Sequence, residues 1–151
     1  MPTDASSPYA PSSTVTVLGN TGSLVRTGCT FSGWNTAADG SGTTYPADGS
    51  GSFTITANTT LYAKWAATVT WNDNGGVIRT DNIFVSASGK SVTPPSDPST
   101  SARGNCGDKF MGWTTTENYK SDSPSPGDIV TGAQNVTGST NYYAVFADYA
   151  E

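Results

Sequence analysis

Histidine is absent from this 151-residue chain, which removes every mechanism built on imidazole, from Ser-His-Asp and Cys-His nucleophiles to His-ligated zinc, iron or copper. Charge is scarce as well. Only 13% of the residues are Asp, Glu, Lys or Arg, and 7 basic against 12 acidic side chains leave a net charge of −5. Nucleic acids and anionic membranes are bound through concentrated Lys/Arg footprints, so neither is expected as a partner. No apolar run approaches the ~18 residues of a transmembrane helix, and no membrane insertion is expected. The opening residues Met1-Pro2-Thr3-Asp4-Ala5-Ser6-Ser7 have no basic stretch followed by an apolar one, so they do not read as a signal peptide. Cysteine is limited to Cys29 and Cys106, and a single pair does not identify a redox compartment.

What the chain has in abundance is Thr, Ser and Gly. Thr favours strands while Ser and Gly serve turns, which is the balance of an extracellular, strand-and-turn protein. The hydrophobic share is low at 34%, but 11% of the residues are aromatic, and large rings raise the apolar area per core position. Composition therefore points to a piece of a longer secreted or cell-surface protein.

The chain repeats itself. Phe31-Ser32-Gly33-Trp34-Asn35-Thr36 returns as Phe110-Met111-Gly112-Trp113-Thr114-Thr115, and Leu61-Tyr62-Ala63-Lys64-Trp65 returns as Tyr142-Tyr143-Ala144-Val145-Phe146. Two blocks recurring in the same order at nearly the same separation mark two homologous units. They span residues 1–66 and 67–151 and join near Ala66-Ala67.

Local patterns within the units are those of strands. In the second, Thr68-Val69-Thr70-Trp71 alternates polar and apolar residues and meets Asn72-Asp73-Asn74-Gly75-Gly76, after which Val77 to Val85 resumes strand composition. Asn-Gly between two such runs predicts a hairpin, because both turn positions favour positive φ. Ser91-Val92-Thr93 is a further short strand, ended by Pro94-Pro95. In the first unit strands are expected at Val15 to Leu18, Cys29 to Trp34, Phe53 to Thr56 and Leu61 to Trp65. Thr114 and Glu117 have capping-box spacing, which predicts one helical turn there, with Asn35 to Asp39 as its counterpart. The expected architecture is mainly β: two tandem modules of antiparallel sheet with at most one short helix each.

The blocks Gly28 to Asn35, Asp39-Gly40-Ser41-Gly42-Thr43-Thr44-Tyr45 and Phe53 to Trp65 resemble the Listeria-Bacteroides repeat, the family that includes the B repeats of the internalins. The second unit resembles a more divergent copy through Asn74-Gly75-Gly76, Phe110-Met111-Gly112-Trp113 and Tyr143-Ala144-Val145-Phe146. This resemblance implies a small α+β, β-grasp-like module, used in tandem in secreted or surface-anchored proteins of bacteria and some archaea. It implies no catalysis and no cofactor. A complete copy begins with a strand and an Asn-Gly-Gly turn, which the second unit has at residues 68–76, whereas the first reaches Val15 after a Pro- and Ser-rich stretch. The opening strand of the first unit is therefore expected to be missing, leaving a place beside its sheet for a strand from another chain.

The core is expected to be built from Phe31, Trp34, Tyr62 and Trp65 in the first unit and Phe110, Trp113, Tyr143 and Phe146 in the second. Truncation of Trp34 or Trp113 to Ala is expected to cost about 3–5 kcal/mol. Tyr45, Trp71 and Tyr119 lie beside polar turns and are the candidates for contact with a sugar. Asn72-Asp73-Asn74 reads as a turn and not as a calcium loop, since a later bidentate Glu is missing, and no metal site is expected. Paired carboxylates for glycosidase chemistry must be held about 5–10 Å apart, and the acids here, such as Asp39, Asp48, Glu117 and Asp128, fall in or beside loops. Lys64 has no evident buried acid for isopeptide chemistry, and no disulfide is expected between Cys29 and Cys106. The expectation is a non-catalytic stalk, spacer or protein-contact module, extracellular or at the cell surface. Its partners would be other protein chains, and the alternative is a carbohydrate-binding module.

Overall fold

A computed structural model of the protein describes residues 3–73, 75–98, 109–119, 125 and 127–147. Among them every regular element is a strand: β1 (Thr14–Thr16), β2 (Thr30–Asn35), β3 (Thr44–Tyr45), β4 (Ser52–Thr54), β5 (Tyr62–Asp73), β6 (Gly76–Val85), β7 (Lys90–Val92), β8 (Lys109–Thr114), β9 (Gln134–Val136) and β10 (Thr140–Ala147). The mainly β expectation holds. The helical turns expected after Asn35 and Thr114 do not form, because both residues close a strand and turn their side chains onto the following loop. Asn35, 1% exposed, accepts from Ala37 N at 2.8 Å and Gly42 N at 3.1 Å. It also donates to Gly40 O, Gly42 O and Thr44 Oγ1. Thr114 Oγ1 accepts from Thr116 N at 3.2 Å. Side-chain bonds of this kind offer the backbone an alternative to helical pairing.

The strands form one six-stranded sheet of mixed direction, in the order β3-β2-β5-β10-β8 with β6 also on β5, and two ribbons, β1–β4 and β7–β9. The centre is β5. Its first half pairs antiparallel with β2, its second half pairs parallel with β10, and β6 runs antiparallel along residues 65–73. Trp65 and Ala66 pair with β2 and β6 at once, so those strands occupy opposite edges. The boundary read from the sequence at residues 66/67 thus lies inside a continuous strand. The closing strand of the first repeat runs on as the opening strand of the second. The predicted hairpin is present, with Asp73 opposite Gly76, Gly75 N donating to Asp73 Oδ1 at 2.7 Å, and Gly76 at φ 134°.

The Phe-x-Gly-Trp motif owes its spacing to a bulge. In a regular strand residues three apart face opposite ways, yet Phe31 and Trp34 meet edge to face at 5.2 Å and Phe110 and Trp113 at 5.5 Å. Register explains this. Phe31 pairs with Trp65 and Gly33 with Lys64, so Ser32 has no partner; Phe110 pairs with Phe146 and Gly112 with Val145, so Met111 has none. One extra residue per strand returns the two aromatics to one face. The glycines sit at φ 124° and 139°, where an L side chain is strained. A Cβ at Gly33 would collide with Tyr45 O, and one at Gly112 would lie 2.7 Å from Val130 O.

The best-packed core lies in the second repeat, between the sheet and the β7–β9 ribbon. Val69, Trp71, Val92, Trp113, Val136 and Tyr142 form it. Trp71 is 0% exposed, which corrects its assignment as a sugar contact. Alternation along β5 turns Val69 and Trp71 to the same inner face, where Trp71 stacks on Tyr142 at 4.5 Å and meets Trp113 edge to face at 5.2 Å. Its indole Nε1 donates to Asp81 Oδ2 at 2.8 Å, and the Arg79–Asp81 ion pair at 2.8 Å holds that acceptor. Tyr62 and Tyr143 were placed one residue out of phase. Tyr62 is 43% exposed, and the inward residue of the closing strand is its predecessor, Tyr142 in the second repeat. Phe31, Trp34, Trp65, Phe110, Tyr143 and Phe146 are half-buried, and of the proposed core aromatics only Trp113 is buried outright.

The two repeats also touch outside β5. Ser139 N donates to Gly28 O at 2.7 Å, and Arg26 reaches Val85 O at 3.1 Å and Thr137 O at 3.2 Å. Thr68 N donates to Ser139 Oγ at 3.0 Å.

Two comparisons test this core. Gly33→Ala and Gly112→Ala should each lower stability by about 2 kcal/mol or more in denaturant unfolding, since each combines a strained φ with a backbone clash. Trp113→Ala should cost about 3–5 kcal/mol, and Trp34→Ala clearly less, because a half-buried ring loses less contact. Equal losses at the two tryptophans would contradict the packing described.

Candidate functional site

The first repeat contains a cavity where the second contains packed side chains. Val15 on β1 faces Phe53 on β4 as Val92 on β7 faces Gln134 on β9. By the same register Ile55 corresponds to Val136, Leu61 to Tyr142 and Trp34 to Trp113. These four first-repeat residues, with Val17, Phe53 and others, line an open, largely apolar cavity of about 340 Å³. Their counterparts make up four of the six buried members of the second repeat's core, and the other two are Val69 and Trp71. Neither has a counterpart among the described residues of the first repeat. Trp34 consequently packs on one side only, with its Nε1 donating to Leu18 O at 2.8 Å.

The segment before β1 sits at the rim. Asp4, Ser7 and Tyr9 line the same cavity, while Ser12 N donates to Ile55 O at 2.8 Å and Ile55 N to Ser13 O at 3.0 Å, lengthening the β1–β4 ribbon. Tyr9 donates its hydroxyl to Asp4 Oδ2 at 2.6 Å. That bond holds the Asp4 carboxyl below its ordinary range, helped by Ser6 N, and raises the Tyr9 phenol. In the second repeat, burial raises the phenol of Tyr142. On the sheet side, Tyr62, Ala63 and Lys64 have β2 on one edge, while β6 begins to pair on the other only at Trp65.

The remaining sequence candidates do not converge. Tyr45 is half-buried on β3 with its ring 5.5 Å from Phe53, tilted by 39°. Tyr119 is half-buried, its hydroxyl 3.1 Å from Asp128 Oδ2. It contributes to a polar cleft of about 300 Å³ with Asn72, Asp73, Glu117 and Tyr143, a wall that does not include Tyr45. With Trp71 inside the core, the three rings make no shared platform. Among the described residues no group of three or more His, Cys, Asp or Glu is placed to hold a metal ion. Lys64 Nζ donates to Thr44 Oγ1 at 2.9 Å and lies 3.8 Å over the Phe84 ring. Cys29 has a free thiol whose Sγ is 3.5 Å from Thr137 O; Cys106, and with it the question of a bridge, lies outside the described residues.

Val15, Ile55 and Leu61 went unnoticed as wall residues, because singly they read as ordinary strand positions. The available signal was the Val69-x-Trp71 alternation in the second unit and its missing counterpart in the first.

Shared strand, recurring bulge and ribbon-covered core define a tandem β-repeat protein. More particularly, the chain belongs to the Listeria-Bacteroides repeat family, whose domain model matches residues 3–64 and 68–144. It is also 36% identical over 124 residues to a Gly-rich protein of Evansella cellulosilytica, one that its name places provisionally in the membrane. The match covers 76% of this chain and 14% of that relative. No solved structure matches the chain. Among the described residues no helix is long and apolar enough to cross a membrane.

Room in the first repeat and none in the second has a measurable consequence. Leu61→Tyr, which installs the residue of the second repeat, should leave stability within about 0.5 kcal/mol of the parent, whereas Val69→Phe should cost about 1–3 kcal/mol by overpacking. Thermal or denaturant unfolding of the two variants checks the contrast.

Proposed function

We propose that the chain is a non-catalytic structural segment of a secreted or cell-surface protein, serving as stalk, spacer or protein-contact module. One observation carries this reading: β5 closes the first repeat and opens the second without a break. A peptide strand paired on both edges is stiff, so repeats joined this way hold a set orientation, where a Gly/Ser linker would let them tumble. The Arg26 and Ser139 contacts between the repeats support the same reading, as do family membership and the relative's name. The parallel pairing of β5 with β10, opening strand beside closing strand, supports a β-grasp-like kinship for the second repeat.

A carbohydrate-binding module is the second reading, and the observation favouring it is the polar cleft lined by Tyr119, Tyr143 and Asn72. A glycan array separates the two. Saturable binding lost in Tyr119→Ala would favour the glycan reading, and the spacer reading expects none.

The spacer reading predicts coupled unfolding. Fluorine or NMR probes placed in each repeat should report a single denaturant transition with a common midpoint, because opening either repeat frays the strand that the other needs. Two separate transitions would mean independent beads on a string and would remove the basis for a rigid stalk.

A further inference from the structure

We infer that the cavity of the first repeat is an acceptor for an extended β-strand presented by a separate repeat-bearing polypeptide, with a β-branched aliphatic two residues before an aromatic. The inference rests on the contact-module reading and names the partner that such a module would hold.

The second repeat shows what fills this space when it is filled. There, Val69 and Trp71 enter from β5, and residues 69–72 pair parallel with residues 140–143 of the closing strand. Val69 lies opposite Thr140 and Trp71 opposite Tyr142. Carried onto the first repeat, the same register sets an incoming aliphatic residue opposite Thr59 and an incoming aromatic opposite Leu61. Both Thr59 and Leu61 line the cavity. Backbone groups are available on the same side, since β6 pairs with β5 only from Trp65 onward, and an unpaired strand edge beside an apolar groove is the geometry of strand addition. The wall is mostly apolar, so the incoming strand would be selected for its apolar side chains, as Val69 and Trp71 are.

Where the strand comes from follows from the segment before β1. The second repeat delivers its opening strand through a hairpin whose return strand, β6, leads into β7. In the first repeat the described residues ahead of β1 form turns, with Asp4, Ser7 and Tyr9 resting on the rim of the cavity. That return strand is not built, which leaves the groove to another chain. The contact would be heterologous: one molecule offers a groove, the other a strand.

The test uses the whole 151-residue chain and a synthetic peptide of residues 67–73, Ala-Thr-Val-Thr-Trp-Asn-Asp, titrated in ¹⁵N-labelled protein. Saturable shifts at Val15, Trp34 (including its indole N–H), Ile55 and Leu61 are expected. Affinity should drop at least tenfold for peptides with Ser in place of the Val or the Trp, a control that leaves the protein's own folding untouched. No saturable shift at millimolar peptide would overturn the proposal, as would shifts confined to the second repeat, where the peptide would be replacing β5 itself. Concentration-dependent shifts at the same groove residues without peptide would assign the site to a second copy of this chain. Occupancy only when the peptide is fused ahead of Met1, never in free form, would assign it to a strand in cis. Either result sinks the separate-chain reading, while coupled unfolding of the repeats would stand or fall independently.

Discussion

Everything in this molecule depends on the backbone pairing of β5. Three strands hydrogen-bond to it, one from the first repeat and two from the second. Without it the β2–β3 pair and the β8–β10 pair would be separate two-stranded pieces, and isolated pairs of strands are marginal in water. The same strand supplies Val69 and Trp71 to the second core. Covalent continuity, sheet continuity and core packing therefore coincide in twelve residues, and no flexible hinge separates the two halves of the chain.

Packing against that sheet is governed by the bulge in each Phe-x-Gly-Trp motif. Skipping Ser32 or Met111 in the ladder turns Phe and Trp to one face, and the following Gly lets the neighbouring backbone approach closer than any Cβ would permit. Bulges raise the local twist of a strand, which helps the sheet curve under its covering ribbon. Asn35 then anchors the turn that follows β2, satisfying its whole amide group in a buried position. A buried amide left unpaired would be costly, and this one is fully used.

The two repeats are the same design carried to different degrees of completion. In the second, stacked and edge-to-face rings fill the space between sheet and ribbon, and the Arg79–Asp81 pair satisfies the one polar atom of the buried indole. In the first, equivalent walls enclose open volume, and Trp34 has neighbours on one side only. Aromatic area is what stabilises small domains with a low hydrophobic share, so the less filled repeat leans on its neighbour through β5 and the Arg26 contacts. The contrast gives the chain one finished module and one with a surface suited to recognition.

The repeat, the strand positions, the Asn-Gly hairpin and the family were all legible in the sequence, because they depend on local alternation, turn chemistry and spacing between recurring blocks. The missing counterpart of Thr68–Trp71 was legible too, as a gap in an internal comparison. Which face each residue occupies was not. Tyr62 and Tyr143 were assigned inward where Leu61 and Tyr142 belong, a shift of one residue that inverts the face in any strand. Trp71 beside a polar turn read as exposed, although its burial depends on Tyr142 and Trp113, which approach from far along the chain. The fusion of the two repeats into β5 was equally hidden, since Ala66-Ala67 is as compatible with a linker as with a strand interior. Local sequence determined the elements and their order, whereas face, register across the bulge and the sharing of β5 were decided by partners that only the folded chain brings together.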